Sequence, residues 1–164
     1  LGHFELSKYL IFEHNFALAI KSIKLAIKYF EQQNDTILLI KSYNRLSKIY
    51  RLNSDVSQSA KITKKSLKLS KNLKNQKFID IANIEYHLGI KDSIDSLNWL
   101  RDFIKNSKEL DLSAYIYFSL FSNNGKQSDK DQAITHYKAL CKKVKRFEYK
   151  YYLNILNKWL ASLR

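Results

Sequence analysis

The sequence predicts an all-α protein: about four helical hairpins stacked in line and closed by one further helix at the C-terminal end. Three observations lead there. The chain repeats itself at an interval of 36–40 residues, proline is absent and only three glycines occur in 164 residues, and residues that cap helix N-termini recur in phase ahead of amphipathic stretches. Proline breaks helix interiors, and a sandwich or barrel needs many glycine- and proline-rich turns, so the composition favours helices nearly throughout. The length suits one domain, expected as repeats at about 1–34, 35–75, 76–110 and 111–145 with a closing helix at 146–164.

The repeat fixes the elements in order. Leu6, Ser7, Leu10, Asn15, Phe16, Ala19, Ile23 and Ala26 align, 40 residues on, with Leu46, Ser47, Tyr50, Asp55, Val56, Ser59, Thr63 and Ser66. A further 38 leads to Ile84, Leu88, Ser93, Ile94, Leu97, Arg101 and Ile104, and 36 more to Asp129, Lys130, Ala133, Tyr137 and Leu140. Each unit reads as two helices, because apolar or small residues recur at helical spacing on either side of a short break. Asn15, Asp55, Ser93 and Asp129 stand where a side-chain oxygen can accept the free N–H groups of a first turn, and Gln58 and Gln132 follow three residues after two of them. The expected helices span 3–14, 16–33, 37–52, 56–72, 77–90, 94–106, 112–122, 130–145 and 147–163. The helix 56–72 sets Ser59, Thr63, Ser66 and Ser70 on one side and Lys61, Lys64, Lys65, Lys68 and Lys71 on the other. Its small inner residues allow a neighbouring helix to approach closely. The last helix, with Tyr151, Tyr152, Trp159 and Leu160, would seal the end of the stack. A first helix starting almost at residue 1, in a chain with no methionine, is expected of a piece of a longer protein.

Composition excludes several classes. One cysteine, Cys141, forms neither an internal disulfide nor a cysteine-rich zinc site. Three scattered glycines give no phosphate loop or dinucleotide fold. No apolar run approaches the roughly 20 residues of a membrane span, and the start has no secretory pattern. The four histidines, His3, His14, His87 and His136, show no metal-ligand spacing. No catalytic residue, metal site or cofactor is therefore expected. The formal charge is +14, but 24 of the 29 basic residues are Lys, whereas arginine is the residue that grips phosphate in two places.

The pattern resembles the tetratricopeptide repeat. The resemblance rests on the large-then-small pairs Leu6-Ser7 and Leu46-Ser47, the following Leu10 and Tyr50, the turns His14-Asn15-Phe16, Ser54-Asp55-Val56 and Ser128-Asp129-Lys130, and the pairs Ala19-Ile20, Ser59-Ala60 and Ala133-Ile134. It extends to about residue 145. The period exceeds the family's usual 34 or so, the closing proline is missing, and Glu85 stands where a small residue belongs. Long, proline-poor units resemble the variant found in bacterial sensory and transcriptional regulators. The resemblance implies a right-handed α-solenoid whose first helices line a concave face that holds a peptide or an extended protein segment. On that face it places Lys8 and Phe12, then Asn44, Lys48 and Arg51, then Asn83 and Tyr86. Lysine and arginine there would attract a partner's acidic groups or free C-terminus, and Asn44 would bond its backbone amides. Such a module is non-enzymatic and cytoplasmic, a scaffold or sensor within a regulatory protein, with self-association of the exposed first unit as a further expectation.

The alternative reading is a nucleic-acid-binding helical repeat. It rests on the lysine face Lys61, Lys64, Lys68 and Lys71 and on a second cluster, Lys138, Lys142, Lys143, Lys145 and Arg146. The same lysines also read as the solvated outer face of second helices, and the lysine-over-arginine bias favours that reading.

Overall fold

In a computed structural model the described residues are 2–90, 93–143, 150, 152–154 and 157. Among them every regular element is a helix and none is a strand. The order is α1 (Gly2–Phe12), α2 (Phe16–Gln32), α3 (Thr36–Leu52), α4 (Val56–Asn72), α5 (Gln76–Gly89), α6 (Ile94–Asn106), α7 (Leu110–Asn124) and α8 (Gln127–Lys143). Of the helix expected at 147–163, Lys150, residues 152–154 and Asn157 are helical, and the rest, Trp159 and Leu160 included, lies outside the described residues. The chain divides into two compact units, Leu1–Lys91 and Asp92–Arg164.

The first unit has a finer rhythm than the hairpin repeat. Asn15, Asp35, Asp55 and Asn75, spaced 20 residues apart, each accept a side-chain hydrogen bond from the N–H three residues on, at 2.9–3.2 Å. The residue before each cap, His14, Asn34, Ser54 or Lys74, lies in the left-handed region with φ of 52–62°. Its N–H returns to the carbonyl three residues back, and the cap's N–H to the carbonyl five residues back, as in Asn15 to Leu10 and Asp55 to Tyr50 at 2.9 Å. This double closure ends one helix and begins the next within three residues. None of the four left-handed residues is glycine, so each carries a steric penalty of roughly 1–2 kcal/mol.

Consecutive helices α1 to α5 pack in sequence, and α3 also packs against α5. The core of α1–α4 centres on α2, whose Ala19, Ser22, Ile23, Ala26, Ile27 and Phe30 form one buried stripe at helical spacing. Against it lie Phe4 of α1 and Tyr43, Leu46, Ile49 and Tyr50 of α3. The α3–α4 contact differs in kind. Ser47, Ser59, Thr63, Ser66 and Ser70 are all buried there and bond to one another and to the backbone. Ser47 Oγ lies 3.0 Å from Ser59 Oγ, Ser59 Oγ donates to Ser47 O at 3.0 Å, and Ser70 Oγ donates to Ser66 O at 2.8 Å. Hydroxyl bonding thus supports a close helix approach that aliphatic side chains would not permit.

In the second unit α7 packs on α6 and α8. Ala114 and Phe121 of α7 meet Ala133, Tyr137 and Leu140 of α8, with Tyr152 and Leu153 packed against the cluster. Tyr152 stacks on Tyr137 with ring centres 5.3 Å apart. Gly125, at φ 66°, caps α7 by donating its N–H to Phe121 O at 2.8 Å.

Three expectations are corrected. Leu6 was aligned with the core residue Leu46, yet it is 46% exposed while Leu46 is 2% exposed. Leu46 joins the core cluster with the α2 residues, whereas Leu6 lies outside that cluster. In α6 the inward residues are Ser96 and Leu100, not Leu97 and Arg101, because the cap matches the earlier units while the buried face is turned by one residue. Asp129 does not cap α8. The preceding helix runs on to Asn124, only Gly125 and Lys126 separate the two, and Asp129 falls inside the first turn, 2% exposed.

Candidate functional site

Within the first unit, α3 has neighbours on most of its circumference. Ile40, Ser42, Tyr43, Asn44, Leu46, Ser47, Ile49 and Tyr50 are buried. The side left to solvent is a stripe at i, i+4, i+7 and i+11: Lys41 and Leu52 are exposed, and Arg45 and Lys48 are partly exposed. Three cations, with the exposed Ile37 and Leu52 at the two ends, therefore form the open side of the unit's central helix.

The helices beside α3 extend this face. Arg45 ties it to α1: its guanidinium lies 3.6 Å over the Phe4 ring, and Nη1 donates to Phe4 O and to Ser7 Oγ. That geometry combines cation–π attraction with direct hydrogen bonding. Lys8 and Phe12 of α1 are partly exposed, one and two turns beyond Phe4. On the α5 side, Arg51 Nε donates to Glu85 Oε2 at 3.0 Å, with side chains 8% and 3% exposed. The unexpected Glu85 at a small-residue position thus meets the cation of the neighbouring first helix. Beyond it lie Asn83, partly exposed, and Tyr86, 40% exposed, which packs edge-on against His87. Burial holds the His87 imidazole below its ordinary pKa.

Of the residues expected on this face, Lys8, Phe12, Lys48 and Asn83 are partly exposed and Tyr86 is exposed. Asn44 is buried, its Oδ1 accepting from Ser66 Oγ in the α3–α4 seam. Arg51 is turned to Glu85. Lys41 and Arg45 were missed. The signal was present: 41, 45 and 48 form a cationic line at helical spacing that continues to Leu52, about 80° from the line through Asn44 and Arg51.

The opposite side of α3 carries Tyr43 and Tyr50, seven residues apart and hence on one line. Tyr43 donates its hydroxyl to Glu31 of α2 at 2.9 Å, and burial, then that bond, then the carboxylate's charge push its pKa up to about 12. Lys65 of α4 lies 5.8 Å from the Tyr43 ring centre and Lys24 of α2 lies 5.9 Å from that of Tyr50. Lys61, Lys64, Lys68 and Lys71 are all exposed on α4.

Elsewhere, Lys138 and Lys142 are exposed on α8, the Lys143 side chain is not described, and Lys145 and Arg146 lie outside the described residues. His136 Nδ1 sits 2.8 Å from Gln132 O, and His14 occupies a left-handed turn position against Phe16. Cys141 is partly exposed. Among the described residues no group of three His, Cys, Asp or Glu is placed to hold a metal ion, and no helix is long and apolar enough to cross a membrane. Comparison with protein-family models, with curated proteins and with solved structures finds no match for this chain.

Proposed function

We propose that this chain is a non-enzymatic helical-repeat module of the tetratricopeptide type, a right-handed solenoid that holds an extended acidic peptide or protein segment on the solvent side of α1, α3 and α5. The observation that carries the reading is the α3 stripe of Lys41, Arg45 and Lys48, with a partly exposed Phe12 on α1 and an exposed Tyr86 on α5. Cations placed among partly exposed aromatics suit a chain that offers carboxylates and apolar side chains in alternation, or a free C-terminus. Lys41 and Lys48 supply charge for recognition beside Arg45 and Arg51, which also meet Phe4 and Glu85, and Asn83 offers its amide to a ligand's backbone. Cytoplasmic action as the sensing or scaffold part of a larger regulatory protein follows from the same reading.

The test is a peptide array probed with the whole chain, comparing acidic, basic and neutral sequences. Acidic peptides are expected to bind, and K41E/K48E to weaken the best of them at least about tenfold, the scale of lost charge pairing at an interface. Unchanged binding by that variant, or preference for basic peptides, contradicts the proposal.

A further inference from the structure

A second cationic surface lies on the other side of α3, and nothing in the peptide-binding reading uses it. Helix α4 exposes Lys61, Lys64, Lys65, Lys68 and Lys71 and contains no acidic residue. Helix α2 exposes Lys21, Lys24 and Lys28, and its one carboxylate, Glu31, accepts from the Tyr43 hydroxyl. These rows are on separate helices, 40 residues apart in sequence, yet they converge. Lys24 reaches over Tyr50 and Lys65 over Tyr43. The two tyrosines stand two turns apart on one line of α3, so the ammonium groups approach the same side of that helix from its two flanks, about 10 Å apart along it. This side is half a turn from the Lys41–Lys48 stripe, since residues 41 and 43 differ by about 200°.

We infer that the joined lysine rows of α2 and α4 bind the phosphate backbone of a nucleic acid without reading its sequence. Three features select this occupant. Between Ser57 and Asn72 every exposed residue of α4 is polar or lysine, and the exposed Leu18, Leu25 and Tyr29 of α2 are turned on average about 90° from its lysine line, so the lysine lines themselves carry no apolar side chain to enter a bilayer, as interfacial membrane binding requires. The row equally lacks the apolar centre that a stable protein interface buries. Phosphate contact needs neither: it requires cations in a line, and each neutralised phosphate releases counterions. Lys61 to Lys71 spans about 15 Å, which passes roughly four phosphates at the axial spacing of one strand. Neither helix carries arginine, the residue that grips phosphate in two places and reads bases, so these lysines would meet the backbone as single point charges and read no base.

The test measures fluorescence anisotropy of the whole chain with a labelled DNA duplex of about 20 base pairs and a single-stranded RNA of equal length, across salt from about 50 to 200 mM. Two triple variants carry the same change in net charge: K61E/K64E/K68E on α4, and K105E/K108E/K138E at exposed lysines of the second unit. Expected results are binding at low salt, at least tenfold weaker binding by the α4 variant with a salt slope reduced by about 2.7, and a several-fold smaller effect of the control. K21E/K24E/K28E is expected to match the α4 variant. No binding at low salt, equal losses in the α4 and control variants, or capture by phosphatidylserine vesicles in place of nucleic acid would overturn the inference. None of these outcomes depends on peptide binding at the opposite face.

Discussion

Removing Glu85 is expected to destabilise the first unit severely, and the reason is the Arg51 guanidinium it would leave behind. The two side chains are 8% and 3% exposed and meet at 3.0 Å, so the pair is shielded from water while linking α3 to α5. A buried charge deprived of its partner costs about 3–5 kcal/mol, whereas replacing both members with apolar side chains of similar size is near neutral or stabilising. Against a total stability of about 5–15 kcal/mol, the single change removes a large part. The assay is urea unfolding followed by far-ultraviolet circular dichroism, since the first unit contains no tryptophan to report on it. With m of about 2 kcal/mol per molar, Glu85→Ala is expected to lower the midpoint by roughly 2 M. Arg51→Ala costs less than the loss of Glu85 because the remaining carboxylate can be protonated, and R51M/E85L returns to within about 1 kcal/mol of the parent. A loss below about 1 kcal/mol for Glu85→Ala, the scale of a solvent-exposed pair, would refute the description of a dry α3–α5 contact.

Further expectations come from the turns, the seam and the titrating groups. Lys74→Gly is expected to stabilise by about 0.5–1 kcal/mol in the same urea assay, because relief of the left-handed penalty exceeds the chain entropy glycine adds to the unfolded state. Ser47→Ala, which strips partners from Ser59 and Thr63, should cost about 1–3 kcal/mol, and the triple S47A/S59A/T63V less than the sum of its single changes. His87 is held neutral by burial, so its contribution to stability is complete above its unfolded pKa of about 6.5 and is lost as pH falls through the lower folded value. Urea midpoints at about pH 7.5 and 5.5 should therefore differ by less in His87→Gln than in the parent. Tyr43 behaves in the opposite sense: with its folded pKa raised from 10.0 to about 12, its stabilisation is intact below 10 and lost as pH rises toward 12. Tyr43→Phe should reduce that alkaline loss.

Much of this could be read in advance because it is local. Caps such as Asn15, Asp55 and Ser93 act within three residues, and in-phase cap formers placed α2, α4 and α6 to within a residue. Where two helices share a short turn, as at Gly125 and Lys126, the same signal misled: Asp129 is a competent cap residue that α8 had already passed. Facing is set by tertiary neighbours and was harder to read. The side of α3 that reaches solvent depends on α2, α4 and α5 together, so Asn44 and Arg51 looked open while Lys41 and Arg45 went unnoticed. The Arg51–Glu85 pair joins residues 34 apart, and the convergence of the α2 and α4 lysines depends on tyrosines of a third helix. Neither has a short-range signature.

The most direct test of the peptide-binding face is hydrogen–deuterium exchange of the whole chain with and without the tightest peptide from the array. Binding on the proposed face predicts slowed exchange in the second half of α3, around Lys48 to Leu52, and in α5 around Asn83 to Tyr86, with α4 unchanged. Protection confined to α2 and α4, or no protection at saturating peptide, would contradict it.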